Sequence, residues 1–345
     1  MNILITGGLG FQGAHLARAL FERGYRVFVL NTPSLHSRRE WDVLRTLTEG
    51  SRRIDCIWGS VLDPSVILPV VEGIDVVVHL AAWANPDKCT EQPFQAIETN
   101  VIGTQHVVDA VYQETRRCRA LGIRPPLLIH GSSCEVYGPA RRLNEVVNGR
   151  EVDDKQLVSQ DERSEMHPPS VYAASKCAAD RLVNAYVETF KLRALITRPC
   201  NVFGPGQRSG RHGGVIPTFV ARALAGQLLV VRGGSQTREF LYIDDLVSAF
   251  VKLIDLAQDK APWDWPQYEN ERVVNLGSGQ RVSIGQVAGY VAEMMHIGVE
   301  MTDARPGDVS GFNLDSTYAK SLLGVYVLVD FWYGLDAYIA WARSQ

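Results

Sequence analysis

The sequence predicts an α/β protein built on a doubly wound parallel sheet, with a smaller domain on its C-terminal side. Three observations carry this. Short apolar runs alternate with helical periodicity from the first residues to Pro199. A glycine-rich turn, TGGLGFQG, stands between the first run and the first helical stretch. After Pro199 the alternation gives way to a glycine-rich, basic stretch, NVFGPGQRSGRHGG, and then to mixed short strands and helices.

Asn2–Thr6 reads as a short buried strand, and AHLARALFERG as a helix. Between them Gly8, Gly10 and Gly13 satisfy GxGxxG, and Gly7, Gly10 and Gly13 the related GxxGxxG. Such a turn lets backbone approach a pyrophosphate and aims a helix N-terminus at it. Gly7, Gly10, Phe11, Gln12 and Gly13 are therefore expected to hold a dinucleotide, as in a Rossmann domain. The second strand, Tyr25–Leu30, ends at Asn31, where an acid normally accepts hydrogen bonds from the adenosine ribose of NAD. Arg38 and Arg39 follow. They could meet a 2′-phosphate, which would favour NADP, or stand on a solvated helix start. NAD is the expected cofactor, with NADP left open.

Ile54–Trp58 is the third strand, and Asp63 follows it in a loop that could lie beside the adenine. Asp75–Ala82 is the fourth, ending in Leu80, Ala81 and Ala82, where a cofactor backbone could pass. A helix is predicted over Pro93–Arg117. It carries Asn100, either a buried polar linker or a support for cofactor and active-site hydrogen bonds. Pro125–Gly131 is the fifth strand. It delivers Ser132, Ser133, Cys134 and Glu135 at its C-terminal end, the edge where open parallel sheets bind ligands. The polar segment 139–169 is long for a loop and is expected to carry a lid or an oligomer contact. Leu192–Pro199 is the next strand. The expected domains are residues 1–198, with a later excursion near 238–258, and a substrate domain of 199–237 and 259–345.

Tyr172 and Lys176, in YAASK, lie four residues apart on one helix face. A phenol with its usual pKa of about 10 is a poor base. A neighbouring ammonium favours the phenolate. A serine hydroxyl opposite could hold the substrate oxygen whose proton the phenolate takes. That is a proton-transfer site of the kind that accompanies hydride transfer.

Composition narrows the rest. The chain has 345 residues and a formal net charge of −3, so no nucleic-acid or membrane partner is expected. No apolar run approaches the length of a membrane-spanning helix. The start, MNILITGGLG, reads as strand and turn and not as a signal peptide. Six cysteines without paired spacing or CxxC read as free thiols in a reducing cytoplasm. Eight scattered histidines without HExxH give no metal site.

With TGGLGFQG, SSCEVYG and YAASK in that order, the chain resembles an extended short-chain dehydrogenase/reductase. More narrowly, it is similar to the NAD-dependent nucleotide-sugar epimerase/dehydratase family. TNVIGT, RPCNVFGPGQ, TREFLYIDDL, NLGSG and RPGD extend the resemblance over nearly the whole chain. It implies a Rossmann domain and a small domain that clamp a nucleotide diphosphate sugar. Tyr172 resembles the active-site base, and Lys176 its partner on the nicotinamide ribose. Ser133 matches the residue that hydrogen-bonds the sugar 4-hydroxyl, and Asn201 one that contacts the diphosphate or sugar. Arg238 and Arg305 match arginines that pair with the diphosphate, where a planar guanidinium binds phosphate in bidentate fashion. Family members are commonly homodimers, here through helices around Gln95–Arg117 and Tyr172–Phe190. Two positions depart from the pattern: Asn31 replaces the usual acid, and Ser60 stands where an adenine-contacting acid is common.

The shared step implied is oxidation at C4 of the sugar. A 4-epimerase then needs no further base, whereas a 4,6-dehydratase needs a base for the C5 proton and an acid for the departing 6-hydroxyl. Glu135 resembles the base of the dehydratases, and simple 4-epimerases more often carry a small residue there. The other reading of Glu135 is a carboxylate holding a loop amide. Cys134 stands at the position of the acid. A thiol of pKa about 8.5 is protonated at neutral pH and could serve, or it packs as a small hydrophobe. The expected function is a nucleotide-sugar dehydratase. The alternatives are a 4-epimerase and an NADPH-dependent 4-keto-sugar reductase. Loops bearing Arg208, Arg211 and His212 would set the nucleobase and sugar.

Overall fold

Ile3, Leu4 and Ile5 are fully buried, as residues of a strand covered on both faces must be. The same holds for Val76–Val78 and Leu127–Ile129, with exposures of 2% or less. The computed structural model describes residues 1–47, 53–140, 157–209, 214–259, 269–304 and 311–345. Up to Pro199 the elements are β1 (Asn2–Thr6), α1 (Phe11–Glu22), β2 (Arg26–Asn31), α2 (Leu35–Leu47), β3 (Ile54–Trp58), α3 (Pro64–Val71), β4 (Val76–His79), α4 (Pro86–Glu91), α5 (Pro93–Ile97), α6 (Gly103–Leu121), β5 (Leu127–Gly131), α7 (Val171–Phe190) and β6 (Arg193–Pro199). There follow β7 (Asn201–Phe203), α8 (Val215–Leu224), β8 (Leu229–Arg232), β9 (Thr237–Tyr242), α9 (Ile243–Asp259), α10 (Glu269–Arg272), β10 (Val273–Leu276), β11 (Arg281–Ser283), α11 (Ile284–Met295), β12 (Val299–Thr302), α12 (Thr317–Leu323) and α13 (Phe331–Arg343).

The chain divides into two compact units. The first comprises Met1–Ser133, Ser170–Arg198 and Val247–Val274. Its seven-stranded sheet has the order β10-β6-β5-β4-β1-β2-β3. β1 pairs in parallel with β2 and with β4, β3 lies beyond β2, and β5 and β6 lie beyond β4. The chain therefore winds outward through β2 and β3, then returns to start again at β4. The order reverses between β1 and β4, and the C-terminal ends of these two strands bound the crevice where such sheets bind ligands.

Two elements differ from the sequence reading. β4 stops at His79 instead of Ala82, because the backbone turns there and the Leu80 and Ala81 N–H groups donate to the Thr6 carbonyl and hydroxyl (3.0 and 3.3 Å). The helix predicted over Pro93–Arg117 is α5, a π-helical turn at Glu98–Ile102, and α6 running on to Leu121. A short α4 precedes it, started by Pro86 and by the Asn85 side chain, which accepts from the Lys88 N–H at 2.8 Å. α6 stops at Gly122, whose φ of +65° makes the left-handed cap.

The second unit comprises Cys134–Pro169, Pro199–Leu246 and Asn275–Gln345. It holds a three-stranded sheet, β11-β9-β7, and a two-stranded one, β12-β8. The stretch NVF, aperiodic as sequence, is a strand because β9 supplies its partner, with Asn201 opposite Phe240. Phe203, Phe240, Tyr242 and Phe331 pack their rings together with centroids 5.2–6.0 Å apart. Gln160 donates its backbone N–H to the Asn313 carbonyl (2.7 Å) and its amide to the Gly138 carbonyl (3.1 Å), tying the segment before α7 into this unit. The lid or oligomer contact expected of 139–169 falls mainly on 141–156, outside the described residues. Among the described residues no helix is long and apolar enough to cross a membrane.

Candidate active site

In the first unit the turn after β1 is pressed against the turn after β4. Gly7 has a φ of +70°, and a Cβ on it would lie 2.8 Å from the Ala81 nitrogen. A Cβ on Gly13 would lie 2.4 Å from the Gly7 carbonyl oxygen, so only glycine lets α1 start this close to the loop. Phe11 and Gln12 open α1, and the Leu9 N–H donates to the Asn31 side chain at 3.2 Å. Leu80 and Ala81 are the backbone against which Gly7 rests, with Ala82 next in the chain. This narrow cradle at a helix N-terminus fits a dinucleotide pyrophosphate.

His79 sets the geometry behind that cradle. Thr104 donates its hydroxyl to the Asn100 carbonyl at 2.7 Å. The His79 Nε2, 3.0 Å from the same hydroxyl, must therefore be the donor in that contact. Its Nδ1 then accepts from the Thr6 hydroxyl at 2.6 Å. This neutral tautomer agrees with a pKa pushed down to about 3, by burial and then by the Lys176 charge. The ring thus fastens the ends of β1 and β4 to the start of α6.

Asn100 sits in the π-helical turn, 1% exposed. Its Oδ1 accepts from the Trp83 N–H (2.7 Å), and its Nδ2 donates to the Trp83 carbonyl (3.1 Å) and to the Ser175 hydroxyl (2.9 Å). Ser175 passes its own proton to the Tyr172 carbonyl at 2.7 Å. Asn100 therefore acts on the helix of Tyr172 and Lys176 through Ser175, with both amide hydrogens given to the protein. A π-helical turn at such a point is a recurrent device of functional sites.

α7 starts sharply because Pro168 and Pro169 precede it and Ser170 caps it, its hydroxyl accepting from the Ala173 N–H at 3.1 Å. This places Tyr172 in the first turn and Lys176 one turn on. Tyr172 packs with Cys89, Ala96 and Trp83. Lys176 is 5% exposed and donates to the Gly131 carbonyl at 2.7 Å, two residues before Ser133. Burial lowers its pKa to about 8, while the Asp180 carboxylate one turn along α7 pulls the other way. Asp180 is itself buried and accepts from Arg198 at 3.0 Å, with the His130 ring 3.6 Å away. Ser133 is 8% exposed at the end of the first unit. At the outer strands, Asp63 caps α3, its carboxylate accepting from the Ser65 N–H (2.9 Å) and hydroxyl (2.6 Å), and the Ser60 hydroxyl accepts from the Leu62 N–H at 3.1 Å.

In the second unit Cys134 and Glu135 open a single 3₁₀ turn, Cys134–Tyr137, fixed by a hydrogen bond from the Tyr137 hydroxyl to Asn275 (2.8 Å). Burial pushes the Glu135 carboxyl up to about 7, against the pull of the Arg238 guanidinium. A carboxyl poised there is part-protonated at neutral pH, where an ordinary surface glutamate is ionised, and so suits acid–base work. Arg238 lies on β9 and donates to the Thr237 carbonyl at 2.9 Å. Asn201, on β7, donates to the Glu239 carbonyl of β9 at 3.1 Å, so these two paired strands carry the predicted substrate contacts Asn201 and Arg238. Arg208 is exposed; Arg211, His212 and Arg305 lie outside the described residues. None of the six cysteines forms a disulfide, and among the described residues no group of three His, Cys, Asp or Glu side chains is placed to hold a metal.

A glycine cradle after β1, a tyrosine–lysine pair on α7 and a serine at the end of β5 point to one class of enzyme. The family model described as the NAD dependent epimerase/dehydratase family matches residues 3–277. The chain belongs to that family. It is an enzyme, and NAD is its cofactor. A dTDP-D-glucose 4,6-dehydratase of Dictyostelium discoideum is 32% identical over 256 residues, covering 72% of this chain and 54% of that protein. A trifunctional Arabidopsis thaliana protein, named for UDP-glucose 4,6-dehydratase among its activities, is 29% identical over 93% of this chain. The chain spans about half the length of these curated relatives, 54% and 44%. Among solved structures, a dTDP-glucose 4,6-dehydratase from Streptomyces venezuelae with NAD bound superposes with a TM-score of 0.82 at 27% identity, covering 100% of this chain and 98% of that one. A UDP-glucose 4-epimerase from Thermotoga maritima gives 0.80 at 25% identity, covering 100% and 99%.

The sequence pattern does not mark several residues around the site. Asp180 had a usable signal, standing four residues after Lys176 on the same helix face. Its partner Arg198, at the end of β6, had none. His79 was hidden in an apolar strand, and Ser175 within YAASK. Glu239, 1% exposed, accepts from the Gly279 N–H at 2.7 Å and so holds the NLGSG loop; its place beside Arg238 in TREF carries no sign of this.

Proposed function

We propose that this enzyme is a nucleotide-sugar dehydratase, acting through transient oxidation at C4, removal of the C5 proton and elimination of water across C5 and C6. The observation that carries it is Glu135, a mostly buried carboxyl held near neutrality two residues after Ser133. NAD, when bound, would take up the C4 hydride and give it back to C6, with a proton returning to C5. Ser133 holds the 4-hydroxyl, and Tyr172 takes its proton as C4 becomes a ketone. Lys176 supplies the positive charge that favours the Tyr172 phenolate. The ketone acidifies the C5 proton, which Glu135 removes. Cys134, 2% exposed, passes its thiol proton to the departing 6-hydroxyl, which leaves as water. Arg238, Asn201 and Arg305 hold the nucleotide diphosphate sugar.

The 4-epimerase reading draws support from the Thermotoga maritima likeness and from Ser133, Tyr172 and Lys176, which suffice for it. Product mass separates the two. Incubating the protein with UDP-, dTDP- and GDP-sugars is expected to give a product lighter by one water. An isobaric product would overturn the dehydratase reading in favour of epimerisation. Turnover seen only with a keto sugar and added NADPH would make it a reductase.

The enzyme works as a homodimer joined through α5–α6 and α7. Phe94 (83% exposed), Ile97 and Ile102 support this, being large apolar side chains on the surface of that helical stretch. Light scattering on the wild type and on Phe94→Asp is expected to give a dimer and a monomer respectively; a monomeric wild type removes the proposal. We assign it to the cytoplasm, a reducing compartment that suits six cysteines without a disulfide.

A further inference from the structure

The residue that closes β2 decides what the adenosine ribose can carry. A carboxylate there accepts from the 2′-hydroxyl and repels a 2′-phosphate, whereas an arginine nearby accommodates one. In this chain the residue is Asn31, which is uncharged and already engaged. Its Oδ1 accepts from the Leu9 N–H of the glycine loop (3.2 Å), and its Nδ2 donates to the Thr32 carbonyl (3.1 Å). Asn31 and Trp58 are Cα partners in the parallel pairing of β2 with β3, so their side chains rise from the same face about 5 Å apart.

The Arg38 guanidinium lies over the Trp58 ring, 5.9 Å from its centroid. The start of α2 is pinned to the end of β2 by Ser37, which is 1% exposed and donates to the Thr32 carbonyl at 2.8 Å. Arg38 thus stands over Trp58, the strand neighbour of Asn31. Carboxylates on these elements are turned to other partners. Glu40 faces His36 at 3.5 Å, Asp42 faces Arg45 at 3.8 Å, Asp55 faces Arg26 at 3.5 Å, and Asp63 caps α3. With no described carboxylate does Arg38 form an ion pair. A cation, a neutral amide and an exposed indole at the ribose end make a subsite for a phosphate monoester.

We propose that this enzyme accepts NADP(H) as well as NAD(H), Arg38 pairing with the 2′-phosphate beside Asn31. The inference rests on the family's cofactor site and not on which sugar reaction follows. Calorimetric titration of the cofactor-free protein with NAD⁺ and with NADP⁺, without any sugar, is expected to give dissociation constants within about threefold of each other, or tighter for NADP⁺. Arg38→Ala should weaken NADP⁺ by about 10–100-fold, the worth of a charge-assisted hydrogen bond, and NAD⁺ by less than about threefold. Asn31→Asp should weaken NADP⁺ selectively and is a second route to the same answer should Arg38→Ala disturb α2. NADP⁺ binding tenfold or more weaker than NAD⁺ in the wild type, or equal losses for both dinucleotides in Arg38→Ala, would overturn the proposal. Because no sugar is present, a dehydratase, epimerase or reductase outcome leaves the result untouched.

Discussion

Tyr172→Phe is expected to cut turnover of the nucleotide sugar by about 10²–10⁴-fold, the range that one positioned acid–base group contributes. The ring keeps its packing against Cys89, Ala96 and Trp83, so melting temperature and substrate affinity should change little. The loss belongs in kcat, because in the proposed cycle the phenolate acts on the 4-hydroxyl only as hydride leaves. A turnover within about threefold of wild type would remove Tyr172 from the role of base. The Lys176 charge should also show in the pH profile. With its pKa at about 8, the lysine is protonated below that value and neutral above it. Turnover should therefore fall as pH rises through about 8.

Glu135→Gln is expected to abolish dehydration by a comparable factor, about 10²–10⁴-fold, while C4 oxidation continues. The signature is reduced nicotinamide building up in the absorbance spectrum without a product lighter by one water. Dehydrated product at the wild-type rate would mean that another group takes the C5 proton. The wild-type rate should rise as pH rises through about 7, where the carboxyl becomes a base. With the Lys176 limb this predicts a narrow bell between about 7 and about 8.

Stability gives an independent reading of the same carboxyl. Its folded pKa is raised, so between about pH 4.5 and pH 7 the folded state keeps a proton that the unfolded state has lost. Raising the pH through that window drains stability. Glu135→Gln cannot pay this cost and should be more stable than wild type by roughly 2 kcal/mol at about pH 8. The gain should vanish near pH 4. Equal melting temperatures at both pH values would show that the carboxyl is not perturbed.

The first unit was legible because its signals are local. The glycines at 7, 10 and 13 sit between a strand and a helix, and alternation of the two element types dictates a parallel sheet. Tyr172 and Lys176 announce themselves by spacing on one helix. Other features depend on partners far along the chain. NVF gives no strand period in three residues, and only β9 makes it one. The buried pair of Asp180 and Arg198 joins α7 to β6, and neither residue looks apolar enough to be inside. Glu135 could be named from its neighbours in sequence. The burial that raises its pKa could not, since it comes from the packing around the Cys134–Tyr137 turn.

The π-helical turn at Glu98–Ile102 has a consequence for how this region can vary. Each residue of a regular helix advances the side chain by about 100°, so one residue added to a turn shifts the phase of everything before it. Here that shift lets Asn100 face inward to Trp83 and Ser175 while Phe94 and Ile97 face out. A regular helix over the same residues could keep the inward amide or the outward apolar surface, but not both. The contact with α7 and the outward apolar surface are thus set in register by a single extra residue, and loss of one residue between Glu98 and Ile102 would rotate one against the other.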